Sequence, residues 1–288
     1  MQRFVFIVGL LLLLGSNARA QTTVSVLDFG ETAFAKKTAD KLRERLRSTV
    51  ELLVADADLS RAAAKGIGYS GSLNLSVSDA RDLGAVLATD FYILGDAQTL
   101  RRSASTRPVY YESYCSLFVV SSRTGRLIFW DRPIVESDEP AEDKLLNEVV
   151  AEKTIYRMLI AIRRAREDER VQRTLVTANS EPVIEEAPAD EQAAEVQGLR
   201  LPRPYRRLRP EYPENAARAE AEGVVDVLVD VGADGEVGQV QIARWAGFGL
   251  DETTVATVRK MHFFPAMKNG NPVAMRVLLR YNFRKPPR

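Results

Sequence analysis

The chain has 288 residues, enough for two ordinary domains. It is 45% hydrophobic with a formal net charge of +1, so it can fill packed cores, and no global field points to nucleic acid or to a membrane surface. Its single cysteine, Cys115, excludes an internal disulfide, and its setting between Tyr114 and Ser116 in a strand-like run reads as a buried structural thiol.

Residues 1–20 have the layout of a targeting segment. Arg3 supplies a positive start, Phe4 to Leu14 is apolar apart from Gly9, and Ala18-Arg19-Ala20 is an A-x-A cleavage site. The mature chain is expected to begin at Gln21 and to reside in the periplasm. The apolar run is shorter than the roughly 20 residues needed to cross a bilayer. Retention of residues 1–20 would instead give an inner-membrane anchor facing the periplasm, and membrane association is expected only in that case.

Residues 21–176 read as a first domain. Thr23 to Phe29 predicts a strand ending at Gly30. Phe34, Leu42, Leu46, Val50 and Leu53 predict a helix over 32–54. Asp56 to Asp58 opens a second helical piece, and Ser78 is expected to cap a helix over 79–87. Phe91 to Gly95 reads as a buried strand. Tyr110 to Val120 and Arg126 to Val135 predict a hairpin around Arg123-Thr124-Gly125. A long helix is expected over 141–170, with Leu145, Leu146, Val149, Val150, Tyr156, Leu159 and Ile160 as its apolar stripe. This order predicts a mixed α/β sandwich. Val24-Ser25-Val26-Leu27-Asp28-Phe29, the stretch from Leu83-Gly84-Ala85 to Leu94-Gly95, and the Thr124-Gly125 turn resemble the α/β domain shared by curli-secretion lipoproteins and the TolB amino-terminal domain. The resemblance implies an envelope assembly or interaction module.

Gly66-Ile67-Gly68-Tyr69-Ser70-Gly71 matches G-x-G-x-x-G, but a helical Ala62 to Ala64 precedes it where a dinucleotide site needs a strand. A flexible loop is the expectation, and no cofactor is expected.

Residues 177–199 read as an acidic linker. Glu181, Glu185, Glu186, Asp190, Glu191 and Glu195 alternate with Pro182, Pro188 and alanines, too little apolar surface to fold alone. Self-repulsion should keep the stretch extended. A basic run, Arg200 to Arg209, follows.

Residues 200–288 form a second, smaller domain. Arg209-Pro210-Glu211-Tyr212-Pro213 opens it, and a polar helical turn runs from Glu214 to Glu222. Val225, Val227, Val229 and Val231 alternate along one strand; Val224, Asp226, Leu228 and Asp230 give it a mixed, partly wet opposite face. Asp234-Gly235 is a hairpin signal, and the next strand, 237–245, breaks the period of two, so a bulge or slip is open. A helix over 250–261 should cover one face of the sheet. Phe264-Pro265-Ala266 and the turn Asn269-Gly270 lead to a final strand over 274–283. The fold expected for the whole chain is α+β: a mixed α/β sandwich, an acidic linker, and a three-stranded antiparallel sheet packed by a helix.

Tyr212-Pro213, the strand at Gly223, the Asp234-Gly235 turn, Leu250-Asp251, Phe264-Pro265-Ala266, Asn269-Gly270 and the closing aromatic strand together resemble the carboxy-terminal domain of the TonB family. That resemblance implies a periplasmic module that takes up an extended peptide of an outer-membrane transporter, or of another envelope protein, as an added strand. It places partner binding at Arg209, Pro210, Glu211, Tyr212 and Pro213 and at Val277, Leu279, Tyr281 and Phe283. Best-known members carry a glutamine where Arg209 stands, which leaves contact specificity open. The alternative is that the chain's own linker covers the edge, and a homodimer is a second partner. Energy-transducing members keep an uncleaved amino-terminal helix, so a cleaved chain would not be driven in that way; a non-transducing assembly role is the alternative.

No catalytic residue, metal ligand or cofactor-binding residue stands out. The one histidine, His262, reads as a core-edge or helix-capping residue beside Phe263 and Phe264. Asp28 has no sequence-evident partner. The expectation is that the protein is not an enzyme.

Overall fold

The computed structural model describes residues 21–104, 107–178, 184–188, 194 and 198–285. The targeting segment and most of the acidic linker lie outside the described residues.

The first domain is built on one mixed sheet. Its strands are β1 (Thr22–Val26), β2 (Leu52–Val54), β3 (Phe91–Ala104), β4 (Arg107–Ser121), β5 (Leu127–Asp131) and β6 (Ile134–Ser137). The order is β2-β1-β3-β4-β5, with β6 also paired to β4. β1 runs parallel to β2 and β3; the pairs β3–β4, β4–β5 and β4–β6 are antiparallel.

Both faces of this sheet are covered, which explains the unbroken apolar runs Phe91 to Leu94 and Leu117 to Val120. Val26, Ile93, Leu117 and Val119 pack against α1 (Ala33–Arg47), α4 (Glu142–Val149) and α5 (Glu152–Ala178). Tyr92, Leu94, Phe118 and Val120 face the other way, toward α2 (Ala57–Gly66), α3 (Val77–Leu87) and the second domain.

Several local expectations are corrected. The helix expected over 32–54 stops at Arg47, because Ser48 closes it with its N–H on the Glu44 carbonyl. Leu52–Val54 then form a strand beside β1, so Val50 and Leu53 are exposed. Ser76, not Ser78, caps α3, its hydroxyl accepting from the Asp79 N–H. The long helix is two helices broken at Val150-Ala151. The break resets the helical phase, so Tyr156 and Ile160 face outward while Ile155, Met158, Ile162 and Ala165 fill the core. The expected hairpin holds, but Arg132-Pro133 splits its second arm into β5 and β6. Cys115 is fully buried, and burial pushes its thiol well above the ordinary value.

The second domain contains α6 (Glu214–Ala219), β10 (Gly223–Val231), β11 (Val237–Arg244), α7 (Leu250–Val258) and β15 (Met275–Phe283). Small added pieces are β7 (Glu185–Glu186), β8 (Leu199–Arg200), β9 (Arg203–Pro204), β12 (Phe263–Phe264), β13 (Ala266–Lys268) and β14 (Asn271–Val273). Its main sheet has the order β11-β10-β15-β7. The irregular β11 shows as register shifts beside Asp226/Val227 and Val229/Val231. Gly235 is required in the first turn: its φ is +83°, and a Cβ there would lie 2.0 Å from the Phe263 carbonyl oxygen.

The two domains share a buried interface. Asn74 Nδ2 donates to the carbonyls of Val224 (2.9 Å) and Trp245 (2.6 Å), while its Oδ1 accepts from the Val224 N–H (3.0 Å). Trp245 stacks on Phe118, and Phe248 meets Phe118 edge-on with ring centroids 5.4 Å apart. Arg132 of the first domain donates to the Ala219 carbonyl at 2.6 Å.

Candidate functional site

The second domain presents the last strand, β15, as a candidate docking edge. β10 pairs with it along its whole length, from Gly223↔Phe283 to Val231↔Met275. This fixes which side chains turn inward. Val277, Tyr281 and Phe283 are buried, and Leu279 packs against the same core. The Tyr281 hydroxyl reaches Met261 Sδ at 3.4 Å. These four residues therefore offer a partner their backbone rather than their side chains. The intervening residues face outward: Leu278 is 53% exposed. Arg276 and Arg280 make two-pronged bonds to the buried carboxylates of Asp230 (2.6 and 2.8 Å) and Asp226 (2.7 and 2.9 Å), directly across the ladder. The alternation in the sequence marks these outward positions, which lie outside the set that the family resemblance names.

The opening segment is divided. Tyr212 is anchored at the far end of β15. Its hydroxyl donates to the Ala221 carbonyl at 2.6 Å, and its ring lies 6.3 Å from that of Phe283. Pro210 and Pro213 are half-buried; Arg209 and Glu211 are exposed. The preceding chain does not lie along β15: β8 pairs with β13 and β9 with β12.

Part of the β15 edge carries a segment of the chain's own acidic stretch. Glu185 and Glu186 pair in parallel with Met275 and Arg276, and the Ala187 N–H donates to the Arg276 carbonyl at 2.8 Å. Lys268 Nζ holds the Glu185 carboxylate at 3.0 Å. Past Arg276, no described residue pairs with the outer side of β15.

The other candidates resolve into structural roles. Asp28 lies between Arg43 and Arg61, with contacts of 2.8 and 2.7 Å. Burial works against its charge, but the hydrogen bonds from Arg61 and Arg43 carry its carboxyl below the ordinary value. His262 is exposed rather than at a core edge, with Nδ1 3.0 Å from Glu236. Gly66 belongs to α2, and a Cβ at Gly66, Gly68 or Gly71 would meet nothing within 4 Å. Among the described residues no group of three or more His, Cys, Asp and Glu side chains could hold a metal ion.

The second domain is thus a small sheet, antiparallel apart from β7, covered by one helix, with the outer side of its last strand unpaired past Arg276 among the described residues. Residues 209–284 match the family model of the Gram-negative bacterial TonB protein C-terminal, so this part of the chain is TonB-like. The solution structure of the TonB C-terminal domain of Pseudomonas aeruginosa is similar at 26% identity, over 30% of this chain and 89% of that one, with a TM-score of 0.26. The LpoB C-terminal domain of Salmonella enterica matches at 15% identity, over 40% of this chain and 83% of that one, with a TM-score of 0.29. Lipoprotein GNA1162 of Neisseria meningitidis matches at 11% identity, over 48% and 98%, with a TM-score of 0.33. No curated protein matches the chain. No helix among the described residues is long and apolar enough to cross a membrane.

Proposed function

We propose that the protein acts in the periplasm by binding rather than catalysis, and that it takes up an extended peptide of an envelope partner as a strand on β15. The observation that carries the reading is β7: the β15 edge already accepts an extended segment in ladder register at Met275 and Arg276. A partner would continue that ladder toward Phe283. Each net backbone bond is worth about 0.5–1.5 kcal/mol, set against an association cost of about 4–15 kcal/mol, so affinity should be weak to moderate.

A second reading is favoured by the shared interface. Asn74 and Phe118 hold the TonB-like domain against the first domain, which suits an assembly or structural role without energy transduction. The test is NMR titration of the isotope-labelled chain with a synthetic peptide from the amino-terminal segment of an outer-membrane transporter. Amide shifts along β15, abolished by Leu279→Pro, are expected. Unmoved β15 amides would sink the reading, and a change of oligomeric state in the Leu279→Pro chain would favour the assembly role.

A further inference from the structure

The opposite edge of the same sheet opens into a cleft between the domains, with a volume of about 1460 Å³. Five consecutive residues of β11, Gln239 to Ala243, line it, and so do all five of β5, Leu127 to Asp131. Successive side chains of a strand point to opposite faces, so a strand that lines a cleft with every residue turns its edge toward it. Two sheet edges, one from each domain, therefore border one space. β11 pairs only with β10 and β5 only with β4 among the named strands.

The β11 edge has already accepted one rung. Ser76 forms an antiparallel bridge with Arg244, and the Trp245 N–H donates to the Leu75 carbonyl at 3.3 Å. The chain then turns into α3 at the Ser76 cap and leaves the ladder. From Ala243 back to Val237, no described residue continues it. The acidic segment 185–187 is engaged at the other edge of the sheet, on β15.

The chemistry of the walls selects an occupant. Leu127, Ile128, Phe129 and Trp130 are half-buried apolar side chains in the β5 wall. Arg81, Arg126 and Arg259 line the cleft, are exposed, and have no ion-pair partner among the described residues. Arg132 also lines it but is not a free charge, since its guanidinium lies 3.5 Å from Glu112 and donates to the Ala219 carbonyl, with only its buried Nε lacking a hydrogen-bond partner among the described residues. Of the three lining carboxylates, Asp131 is held by Arg157 at 2.8 Å, Asp251 is buried on the backbone N–H groups of Ala246 and Gly247, and Glu252 is exposed, one acid against the three exposed arginines. The free charge facing the space is therefore mainly positive.

We propose that this cleft binds an extended acidic peptide segment of a partner protein, added as a strand to β11 with its apolar side chains against β5. The site is separate from β15, and the proposal does not depend on the reading given above for that edge.

The test uses the full chain and an eight-residue capped peptide of alternating Glu and Val. Trp130 lines the cleft and Trp245 is buried, so quenching or a shift of tryptophan emission reports entry, with calorimetry as the second readout. The acidic peptide should bind, and its Lys–Val counterpart should not. The double variant Arg126→Glu/Arg259→Glu, both surface sites, should keep the unfolding midpoint and weaken binding about tenfold. The same peptide N-methylated at alternate residues should also lose about tenfold, because it cannot donate to a strand edge. Three results would overturn the proposal. They are no binding by the native chain, unchanged binding by the double variant (the peptide then sits elsewhere, β15 included), or equal binding of the N-methylated peptide and polygalacturonate (a polyanion groove instead of a strand site).

Discussion

Trp245 of the TonB-like domain lies 5.9 Å, ring centroid to ring centroid, from Phe118 of the first domain, and its Nε1–H donates to the Gly125 carbonyl at 3.0 Å. A fully buried tryptophan with a satisfied N–H is a core arrangement, here shared by two domains. The TonB-like domain is thus packed on the sheet that also carries α2 and α3. Gly247, two residues on, makes the approach sterically feasible: its φ is +75°, and a Cβ would fall 2.4 Å from Phe118 Cε1.

Gly247→Ala should therefore loosen the interface specifically. Strain and overpacking together should cost about 1–3 kcal/mol. Asn74→Ala should have a similar cost, about 1–3 kcal/mol, because it leaves the Val224 N–H and two carbonyls unpartnered. Urea unfolding followed by tryptophan emission and by far-UV circular dichroism checks both. The native chain should unfold in one coincident transition and the variants in two. A single coincident transition in Gly247→Ala would mean that the interface does not couple the domains.

The pairs across β10 and β15 give a second prediction. Asp230 is 6% exposed and depends on Arg276 for charge compensation. Arg276→Met should destabilise the chain by about 3–5 kcal/mol, since it strands a buried carboxylate. Asp230→Leu/Arg276→Met, which removes both charges, should recover most of that loss. A double-mutant cycle in chemical denaturation measures the coupling, and additive effects would contradict it.

Much of this sheet was legible in the sequence. The alternating valines of β10 and the aromatics of β15 state the inward face, and Asp234-Gly235 and Asn269-Gly270 state the turns. The interface was not legible. Asn74, Gly125 and Gly247 are ordinary loop residues whose roles appear only once two distant stretches meet, and no local period marks such a meeting. The α4–α5 break escaped for a related reason. Val149, Val150 and Ala151 continue an apolar pattern, and the break is visible only in Ile155 and Met158 turning inward where Tyr156 was expected. Cover on β15 was open from sequence, since an acidic stretch and an exposed edge permit pairing without requiring it.

Asp251 predicts a pH dependence of stability. Burial pushes its carboxyl up to about 7, against the lowering effect of the Ala246 and Gly247 N–H donors. Between the ordinary value of 3.8 and about 7 the folded state holds a proton that the unfolded state has released. This group's contribution is therefore complete below about pH 4 and is lost as pH rises to about 7, at up to about 1.4 kcal/mol per unit. Asp251→Asn removes the titration, at the cost of one of the two N–H contacts. Midpoints of urea unfolding from pH 4 to pH 8 should show the variant less sensitive to pH than the native chain. Parallel curves would mean that Asp251 does not titrate in this window.

The segment on β15 gives the last prediction. The Ala187 N–H is the donor that holds it to the Arg276 carbonyl, and Ala187→Pro deletes that donor. Proline also tolerates an edge strand, so the sheet beneath should be undisturbed. If the segment competes with a partner peptide, its loss should raise peptide affinity by the value of one net hydrogen bond, about 0.5–1.5 kcal/mol, or roughly two- to tenfold. Salt should act in the same direction on the native chain, because it screens the exposed Lys268–Glu185 pair. Side-by-side peptide titrations of the native and Ala187→Pro chains decide the matter. Tighter binding by the variant would make residues 185–187 an internal competitor for β15. Equal binding would mean that a peptide occupies only the stretch from Val277 onward, and weaker binding would make the segment part of the peptide's own platform.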